Sequence, residues 1–588
     1  MIVVDRKKVI DYVPGLFGER SKDASLTLLK DEQTRKVYEL FVPQACTDRT
    51  LAVSWKIKAI GVKGSWAANG ILDKRFHPDW EGAQLTSTIS TDAPILCLFG
   101  HVDENIQTFG CADTVNEIKL EAGLREEDNH FYCNLQFFTA TKPEGDYRTR
   151  IYINIESTNF GDCIQSTADW MLKTGDYPTA PVPDLARQPL YSTWYSFHQD
   201  LEEEALLEEC RIAKSLGYKL IIIDDGWQTN DDGRGYDYTG DWQPEGMADI
   251  RAFTQQVHDM DMGIMFWYSV PFCGRKSEAY KRFQGKFLTE NHPWAPVFDP
   301  RFPEVRKYLV DTYAHALSNW GIDGFKLDFI DDFKIYPETE LTHLNGRDTL
   351  SVPEGTWRLI VEIRNALVAI KPDVLIEFRQ QFISPTLRHL GNMFRAFDCP
   401  NDSLMNRVRT TDAKLICGES AVHADMITWH KEEPLQVAAL QLTSTIFSVP
   451  QISLRLARQD EDTLNMLEFF TKYWVENRDI LLDGQFTAAK PLSNYPYLSS
   501  SKGEKCIIGL YEDVPLHLGG SFEEIDILNG KMSQTVILFG EGLGEWQVSI
   551  VDIFGEEINN QSLHFSSGLE RIECPPNGII QLTKKKDS

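Results

Sequence analysis

The stretch Gly324-Phe325-Lys326-Leu327-Asp328-Phe329 decides the fold: it is a short apolar run that carries one lysine and one aspartate. Side chains alternate between the two faces of a strand, so Lys326 and Asp328 share one face and the large apolar side chains share the other. A charged pair on an apolar strand is costly unless its face lines a polar cavity. The competing interpretation is a structural lysine–aspartate pair in a buried sheet, and this stretch alone leaves both open.

The segment before this strand indicates how the pair is presented. Residues Pro303–Trp320 have the spacing of a helix, and Gly321-Ile322-Asp323 leads from that helix into the strand. A helix, a short turn and a strand with a carboxylate near its C-terminal end is the arrangement in which a (β/α)8 barrel displays a catalytic residue.

Strands and helices alternate over the central part of the chain. Amphipathic stretches predict helices at 201–216, 250–261, 303–320 and 354–370. Short apolar runs predict strands at 190–197, 219–224, 263–269, 324–329, 374–379, 392–398, 421–426 and 444–452. Eight strands with interleaved helices predict a (β/α)8 TIM barrel over residues 184–490.

The regions on either side of the barrel are rich in β segments. Residues 1–183 contain β-branched and aromatic runs such as 131–138 and 150–155, and a proline-rich linker at 178–183 ends them. Residues 491–588 return to short β segments such as 535–539. Short strands at this spacing are typical of antiparallel β-sandwiches, so we predict a multidomain protein with one sandwich before the barrel and one after it.

Charge and composition exclude several classes of partner. The 588-residue chain has a net charge of −28 and a pI near 4.9, which argues against nucleic acid and anionic membranes as partners. No run approaches the roughly 18 apolar residues of a membrane span, and residues 1–8 lack the apolar core of a signal peptide. The eleven cysteines are scattered, which is typical of a reducing compartment and predicts a cytoplasmic protein. No CxxC and no histidine pair has the spacing of a zinc site, so we expect neither metal nor cofactor, and leave a homo-oligomer open.

Charged and aromatic side chains occur at the C-terminal ends of most predicted barrel strands, where the active sites of this fold lie. Carboxylates bind sugar hydroxyls, and indole rings stack on the apolar face of a pyranose. Core packing can explain any single tryptophan, and helix capping can explain any single aspartate. Neither explains well why carboxylates and tryptophans occur together at several strand ends. The candidate substrate-binding residues are Trp194, Asp224, Asp225, Trp227, Trp267, Lys326, Arg379, Arg395 and Asp402.

Two carboxylates on either side of one bond are the minimum equipment for glycoside hydrolysis. Lys326 favours the ionised form of Asp328, which suits a nucleophile. The acid would come from the sixth strand, as Asp398 or Asp402.

Several ordered motifs in this chain resemble glycoside hydrolase family 36, which comprises α-galactosidases, some α-N-acetylgalactosaminidases and plant raffinose-type transferases. The resemblance covers residues 185–490 and also implies the flanking β domains. The motifs are Asp224-Asp225-Gly226-Trp227, Gly240-Asp241-Trp242, Pro303-Glu304-Val305-Arg306, the stretch from Gly321 to Asp328, Trp194-Tyr195 and Ala421-Val422-His423-Ala424-Asp425-Met426.

The resemblance implies a role for each matching residue. It makes Asp328 the nucleophile and Lys326 a ligand of galactose hydroxyls. Asp224 and Asp225 would bind the 4- and 6-hydroxyls, with Trp227 shaping that wall, and the sixth strand would carry the acid.

Three departures from the family pattern affect these roles. Leu327 replaces a tryptophan but faces away from the lumen, so we expect little effect. On the fifth strand Glu377, Arg379 and Gln381 are expected on one face, and Arg379-Gln380-Gln381-Phe382 replaces a Cys- and Gly-rich loop, which leaves the preference at the sugar's 2-position open. The Asp398-to-Asp402 spacing is one residue longer than in the family.

We favour Asp398 as the acid because it is nearest the strand end and follows Arg395, with Asp402 as the alternative acid or a supporting carboxylate. The interpretation is a metal-independent, retaining, exo-acting α-galactosidase whose partner is a small α-galactoside. Alternatives are an α-galactosyl transferase, an α-glycosidase for a 2-modified or acidic galactose variant that Arg379 accommodates, and a carbohydrate-binding barrel without catalysis.

Overall fold

The computed structural model describes residues 15–17, 23–46, 50–231, 235–519, 522–541, 543–565 and 568–585. Residues 1–8, on which the expectation about a signal peptide rests, lie outside this described part.

The N-terminal region is a β-sandwich of two six-stranded sheets, as predicted. Its strands alternate buried and partly exposed side chains, as in Leu51–Lys58, because one face of each sheet packs on the shared core. The first sheet contains Gly15–Phe17, Leu51–Lys58, His130–Phe137, Ile118–Arg125, His77–Pro78 and Leu85–Ser87. The second sheet contains Ser25–Glu32, Arg35–Val42, Tyr147–Asn154, Asn105–Cys111, Ile95–Gly100 and Val62–Ala67.

The predicted barrel is present as one eight-stranded parallel sheet. Its strands are β1 (Leu190–Ser192), β2 (Leu220–Ile223), β3 (Gly263–Ser269), β4 (Gly324–Asp328), β5 (Leu375–Arg379), β6 (Met393–Arg395), β7 (Ala421–His423) and β8 (Gln451–Ile452). From β1 to β7 each strand pairs with the next, and β8 pairs with β1. Parallel bridges from His423 to Val449 and from Ile427 to Ile452 close the ring between β7 and β8.

Glycine is required at the start of β4. A Cβ atom on Gly324 would lie 2.1 Å from the carbonyl oxygen of Leu375 on β5. Any larger residue there would push β4 and β5 apart. The glycine therefore lets β4 carry Lys326 and Asp328 into register with β3 and β5.

Helices surround the barrel and connect its strands. Pro303–Trp320 has the bounds that the sequence predicts, and it ends at Gly321 with a positive φ of 75°. The helices are α1 (Phe160–Gly175), α2 (Trp194–Phe197), α3 (Glu203–Ser215), α4 (Ile250–Asp259), α5 (Glu278–Arg282), α6 (Pro303–Trp320), α7 (Val352–Ile370), α8 (Ser403–Cys417), α9 (Leu435–Ser444) and α10 (Glu461–Asp483). A small antiparallel pair, Phe287–Thr289 and Val297–Phe298, lies in the connection between β3 and α6.

Two predicted strands are shorter than expected because helices occupy part of them. The run predicted as a strand over 190–197 leaves the sheet after Ser192 and forms the single turn α2, in which Ser196 Oγ donates to the Thr193 carbonyl at 3.2 Å. The run predicted over 444–452 is a strand only at Gln451–Ile452, and Ser444 ends α9. Short apolar runs of this kind do not distinguish buried strand from buried helix.

The C-terminal region is a smaller β domain with its own core, again as predicted. Its sheets contain Gln485–Ala488, Tyr497–Lys502, Lys505–Leu510, Glu524–Asn529, Ile579–Lys584, Gly544–Val551 and Glu557–Phe565, and Leu516–His517, Thr535–Phe539 and Leu569–Glu573. Gln485–Ala488 pairs with Tyr497–Lys502, so this sheet begins before residue 491. We therefore propose that the domain boundary lies at the end of α10, while the boundary near residue 183 stays a prediction.

Candidate active site

A cavity of about 170 Å³ opens at the C-terminal ends of the barrel strands. It brings together seven of the residues predicted from the sequence, namely Trp194, Asp224, Asp225, Trp267, Lys326, Asp328 and Asp398. Gly235, Tyr236, Trp294 and Phe329 complete its lining. Larger clefts, such as one of about 780 Å³ between α10 and the C-terminal sheet, lie away from this cluster of carboxylates.

Asp328 ends β4 and is held on both carboxylate oxygens. Its Oδ1 accepts from Arg379 Nε at 2.5 Å and from the backbone N–H of Phe329 at 2.8 Å. Its Oδ2 accepts from Trp267 Nε1 at 3.1 Å, and Lys326 Nζ lies 3.9 Å away. Phe329 has a φ of 62°, an uncommon conformation that points its N–H at this carboxylate. The carboxylate is therefore fixed in one orientation.

The charge state of Asp328 follows from its neighbours. Burial alone would raise its pKa, but the cations Arg379, Lys326 and Arg395 more than offset burial and hold the pKa well below the usual range for a carboxyl. Asp328 is thus an ionised carboxylate that is almost shielded from solvent.

Arg379 lies behind Asp328 and outside the cavity lining, although the sequence predicts it as a substrate contact. Its Nη2 also donates to Asp331 Oδ1 at 3.3 Å, and its side chain is 5% exposed. Gln381 does not continue the face of β5 either: the strand ends at Arg379, and the Gln381 carbonyl accepts from the N–H of Asp92 in the N-terminal sandwich. Arg379 is a neighbour of the candidate nucleophile, and its contact with substrate stays a prediction.

Asp224 and Asp225 directly follow β2, and each is fixed by different partners. Asp224 Oδ2 accepts from Lys326 Nζ at 2.6 Å. Asp225 accepts from Gln199 and Gln228, each at 2.6 Å. Burial raises the pKa of Asp225 to about 7, the neighbouring Asp224 adds to the shift, and the two amides oppose it. The pair therefore offers one firmly ion-paired carboxylate and one that titrates near neutrality.

Aromatic rings form the walls of the cavity. Trp267 on β3 stacks on Tyr236 with ring centroids 5.9 Å apart, and Tyr236 also meets the edge of Trp294. Trp294 is 52% exposed and stands at the mouth. Sequence reasoning missed Tyr236 and Trp294 because both come from long connections without periodicity. Their signal was composition alone: aromatic residues within polar loops.

Asp398 lies three residues beyond β6 and is 44% exposed at its side chain. Its Oδ1 pairs with Arg395 Nη1 at 2.9 Å. Burial would raise its pKa, but Arg395 and Arg379 outweigh burial and lower it. In the free site Asp398 is therefore an ionised carboxylate with a solvent-facing side.

Arg395, which the sequence predicts as a substrate contact, is fully buried and lies outside the cavity lining. The same Nη1 that pairs with Asp398 also pairs with Asp425 Oδ1, and Arg395 Nε lies 3.7 Å from Glu377 Oε1. Burial raises the pKa of Asp425 to about 6 and that of Glu377 to about 7, against the attraction of Arg395. The sequence contains a signal for both buried carboxylates. Asp425 is a carboxylate just beyond β7, and Glu377 lies two residues before Arg379 on the same face of β5.

Two predicted site residues lie elsewhere. Trp227 is fully buried among Trp242, Phe266 and Trp320, and its Nε1 donates to the Trp267 carbonyl, so it packs behind the wall of the cavity. Asp402 is the N-cap of α8 and accepts from the Met405 N–H at 2.8 Å. The longer spacing in this chain therefore turns Asp402 into a helix cap, as the competing interpretation of such aspartates holds.

The described ranges hold neither a metal-binding cluster nor a membrane-spanning helix. No group of three or more His, Cys, Asp or Glu side chains there is arranged to hold a metal ion. No helix among the same residues combines the length and apolar character needed to cross a bilayer.

Parts of the chain are similar to curated enzymes, although no family model matches it. It is 26% identical over 159 residues to α-galactosidase AgaA of Geobacillus stearothermophilus, which covers 25% of this chain and 21% of that protein. It is 22% identical over 215 residues to the A type blood α-D-galactosamine galactosaminidase of Flavonifractor plautii, which covers 33% of this chain and 19% of that protein. The matches thus span about a fifth of the length of these curated relatives.

Solved structures share the fold over nearly the whole chain. The α-galactosidase from Lactobacillus brevis has a TM-score of 0.66 at 14% identity, covering 98% of this chain and 82% of that chain. AgaA from Geobacillus stearothermophilus, in a complex with raffinose, has a TM-score of 0.64 at 14% identity, covering 98% of this chain and 87% of that chain.

A barrel between two β domains, with carboxylates and indoles around one small cavity, is an architecture of the glycoside hydrolase class. Both kinds of similarity point to that class as well. The predicted resemblance to glycoside hydrolase family 36 is confirmed as a similarity: part of the chain resembles a curated α-galactosidase, and the fold resembles that of a solved family 36 α-galactosidase.

Proposed function

We propose that this protein is a retaining, exo-acting α-galactosidase that hydrolyses terminal α-galactosides by double displacement. Asp328 is the nucleophile and Asp398 is the acid and base. The observation that carries this proposal is the state of Asp328: an ionised carboxylate fixed by Arg379, Trp267 and the Phe329 N–H, with a second carboxylate in the same cavity lining.

In the first step, Asp328 attacks the anomeric carbon and the bond to the glycosidic oxygen breaks. The electron pair of that bond stays on the departing oxygen, which takes a proton from Asp398. Asp328 Oδ1 is engaged by two donors, so Oδ2 is the attacking atom. In the second step Asp398 removes a proton from water, and the resulting oxygen displaces Asp328 from the sugar.

The acid role sets a requirement on Asp398. A general acid must hold its proton when the glycosidic bond breaks, yet Arg395 favours the ionised form of this carboxylate. A group that competes with Asp398 for Arg395 would ease that conflict.

Sugar hydroxyls fit the remaining polar groups. Asp224 and Asp225 can accept from hydroxyls, and Lys326 can donate to them while it holds Asp224. A cavity of about 170 Å³ is smaller than the roughly 300–1,000 Å³ of sites for larger ligands. This size supports the removal of one terminal sugar at a time.

The alternatives have less support. Arg379 is paired with Asp328 and Asp331 and does not line the cavity, so an acidic galactose variant finds no free cation there. A carbohydrate-binding barrel without catalysis would not explain why Asp328 is an ionised carboxylate fixed by three donors.

A panel of aryl α-glycosides that differ only in ring configuration and 2-substituent tests the proposal. We expect turnover of the α-galactoside, with α-galactose as the first product by NMR, and much slower turnover of the α-glucoside and the 2-acetamido sugar. A first product of β configuration, or preference for another sugar, would contradict the proposal. Transfer to added sugar acceptors in preference to water would indicate a transferase.

A further inference from the structure

The Arg395 guanidinium stands between two carboxylates that have different surroundings. Its Nη1 lies 2.9 Å from Asp398 Oδ1, which faces the cavity, and also contacts Asp425 Oδ1, which is fully buried. One nitrogen therefore serves both acids. A stronger contact of Arg395 with Asp425 therefore weakens its contact with Asp398, and the reverse.

We propose that Asp425 is a positioning residue for the acid Asp398: by holding the shared nitrogen of Arg395, it limits how firmly Asp398 is kept ionised, and so allows Asp398 to carry the proton for the leaving group. This inference rests on the proposed function, in which Asp398 is the acid. Asp425 does not line the cavity and contacts no reacting atom.

The second carboxylate oxygen of Asp425 fixes the loop that carries Asp398. Asp425 Oδ2 accepts from the N–H of Cys399 at 2.6 Å and from the hydroxyl of Tyr195 at 3.1 Å. Cys399 directly follows Asp398, so Asp425 holds both the backbone next to the acid and the cation beside it.

The charge balance around Arg395 makes the competition effective. Buried cations and carboxylates of neighbouring strands lie close together with little water, where charges interact strongly. As Asp398 gives up its proton, its new charge draws Arg395 towards it, and Asp425 becomes the better proton acceptor of the two. The charged and titratable groups around these two acids are Tyr195 after β1, Tyr236 from the β2–β3 connection, Lys326 and Asp328 on β4, Arg379 on β5, Arg395 on β6, Cys399 after it and Arg409 on α8. One step further out, Glu377 on β5 acts on Arg395, and Asp224 after β2 acts on Lys326.

Asp425→Asn is the main test, since asparagine still offers an oxygen to Cys399 and Tyr195 but no charge to Arg395. Arg395 should then bind Asp398 alone. We expect the alkaline limb of kcat, which reports loss of the acid's proton in the enzyme–substrate complex, to move to lower pH by about 1 unit. We also expect a larger loss on a natural oligosaccharide than on a nitrophenyl galactoside. An alkaline limb at the wild-type pH overturns the proposal.

Tyr195→Phe is a milder variant that keeps the test decisive if Asp425→Asn does not fold. It removes one donor from Asp425 Oδ2, so Asp425 takes up a proton more readily and releases Arg395. The alkaline limb should move in the same direction by a smaller amount, and an unmoved limb overturns the proposal. Glu209→Gln is the matched control: Glu209 is also a fully buried barrel carboxylate, but it accepts from Leu456 outside the cavity, so only stability should fall.

Asp398→Ala separates this inference from the proposed function. If that variant shows no dependence on the leaving group, Asp398 is not the acid and both proposals fail. If it shows the dependence while Asp425→Asn leaves the limb unmoved, only the inference about Asp425 fails.

Discussion

Arg379 Nε donates to Asp328 Oδ1 at 2.5 Å, and the two side chains come from adjacent parallel strands, β5 and β4. The contact gives Asp328 a fixed orientation and a cation that keeps it ionised. The sequence resemblance implies a different loop at this position, next to the sugar's 2-substituent. In this chain the arginine serves the candidate nucleophile instead.

Replacing Arg379 by glutamine should shift the pH dependence of the reaction. The nucleophile must be ionised, and Arg379 is the largest of the attractions that lower the pKa of Asp328. Without it this pKa rises, so activity should be lost at a higher pH as the solution is acidified. The measurement is the acidic limb of kcat/KM, which we expect to move upwards by about 1 unit or more.

Arg388→Gln provides the control for Arg379→Gln. Arg388 is another buried arginine, but it pairs with Asp169 on α1, away from the cavity. The Asp169 side chain is 43% exposed, so losing this pair should lower stability by about 1 kcal/mol and leave the acidic limb in place. If both variants move the limb equally, the effect of Arg379 is not specific to Asp328.

Asp328→Ala should abolish turnover, with a loss of several powers of ten and an intact fold. The cavity left by the carboxylate admits a small anion, so azide should restore activity on an activated aryl galactoside and give a product of inverted configuration. Asp460→Ala is a matched control, because Asp460 only caps α10 and should cost about 1 kcal/mol of stability without loss of activity. Substantial residual turnover in Asp328→Ala would remove its assignment as nucleophile.

The sequence predicts this fold well because the barrel strands have distinct patterns. Alternation on β4 correctly placed Lys326 and Asp328 on one face, and α6 has its predicted bounds. Asp224, Asp225 and Trp267 reach the cavity because strand ends of a parallel barrel meet at one rim.

Other features of the site could not be predicted from the sequence, for physical reasons. Trp227 is an indole near a strand end, and residue type alone does not separate a ring that lines a cavity from one that packs behind it. The pairing of Arg395 with Asp425 joins residues 30 positions apart and depends on how β6 and β7 align. Tyr236 and Trp294 depend on the course of loops, which no periodicity describes.

Asp398 and Asp402 should respond differently to substitution by alanine. A general acid matters most when the leaving group is poor, so Asp398→Ala should lose far more activity on an oligosaccharide than on a nitrophenyl galactoside. Azide should then accelerate the second step with retained configuration. Asp402→Ala should remove a helix cap, at a cost of about 1 kcal/mol in stability, with similar activity on both substrates. Leaving-group dependence in Asp402→Ala alone would transfer the acid role to it.

The stability of the protein should fall as pH rises from about 4 to about 7. Burial raises the pKa values of Asp225 and Glu377 to about 7 and that of Asp425 to about 6, above the ordinary values of carboxyls. Between the ordinary and raised values the folded chain binds more protons than the unfolded chain, so the free energy of unfolding decreases with pH. Asp328 and Asp398 have lowered pKa values, which make the free energy of unfolding increase with pH. This opposite effect lies below pH 4, outside the range from about 4 to about 7.

Urea unfolding at pH 5 and pH 7.5 measures this slope, and Glu377→Gln should flatten it. Glutamine keeps an oxygen for the Gln451 amide but has no proton to lose, so the contribution of Glu377, about 1.4 kcal/mol for each unit of pKa shift, disappears. Asp328→Asn is the control. Asp328 is ionised at both pH 5 and pH 7.5, so this substitution should change the free energy of unfolding by the same amount at both pH values and leave its pH dependence unchanged. A wild-type protein equally stable at both pH values would show that these carboxyls ionise normally inside the barrel.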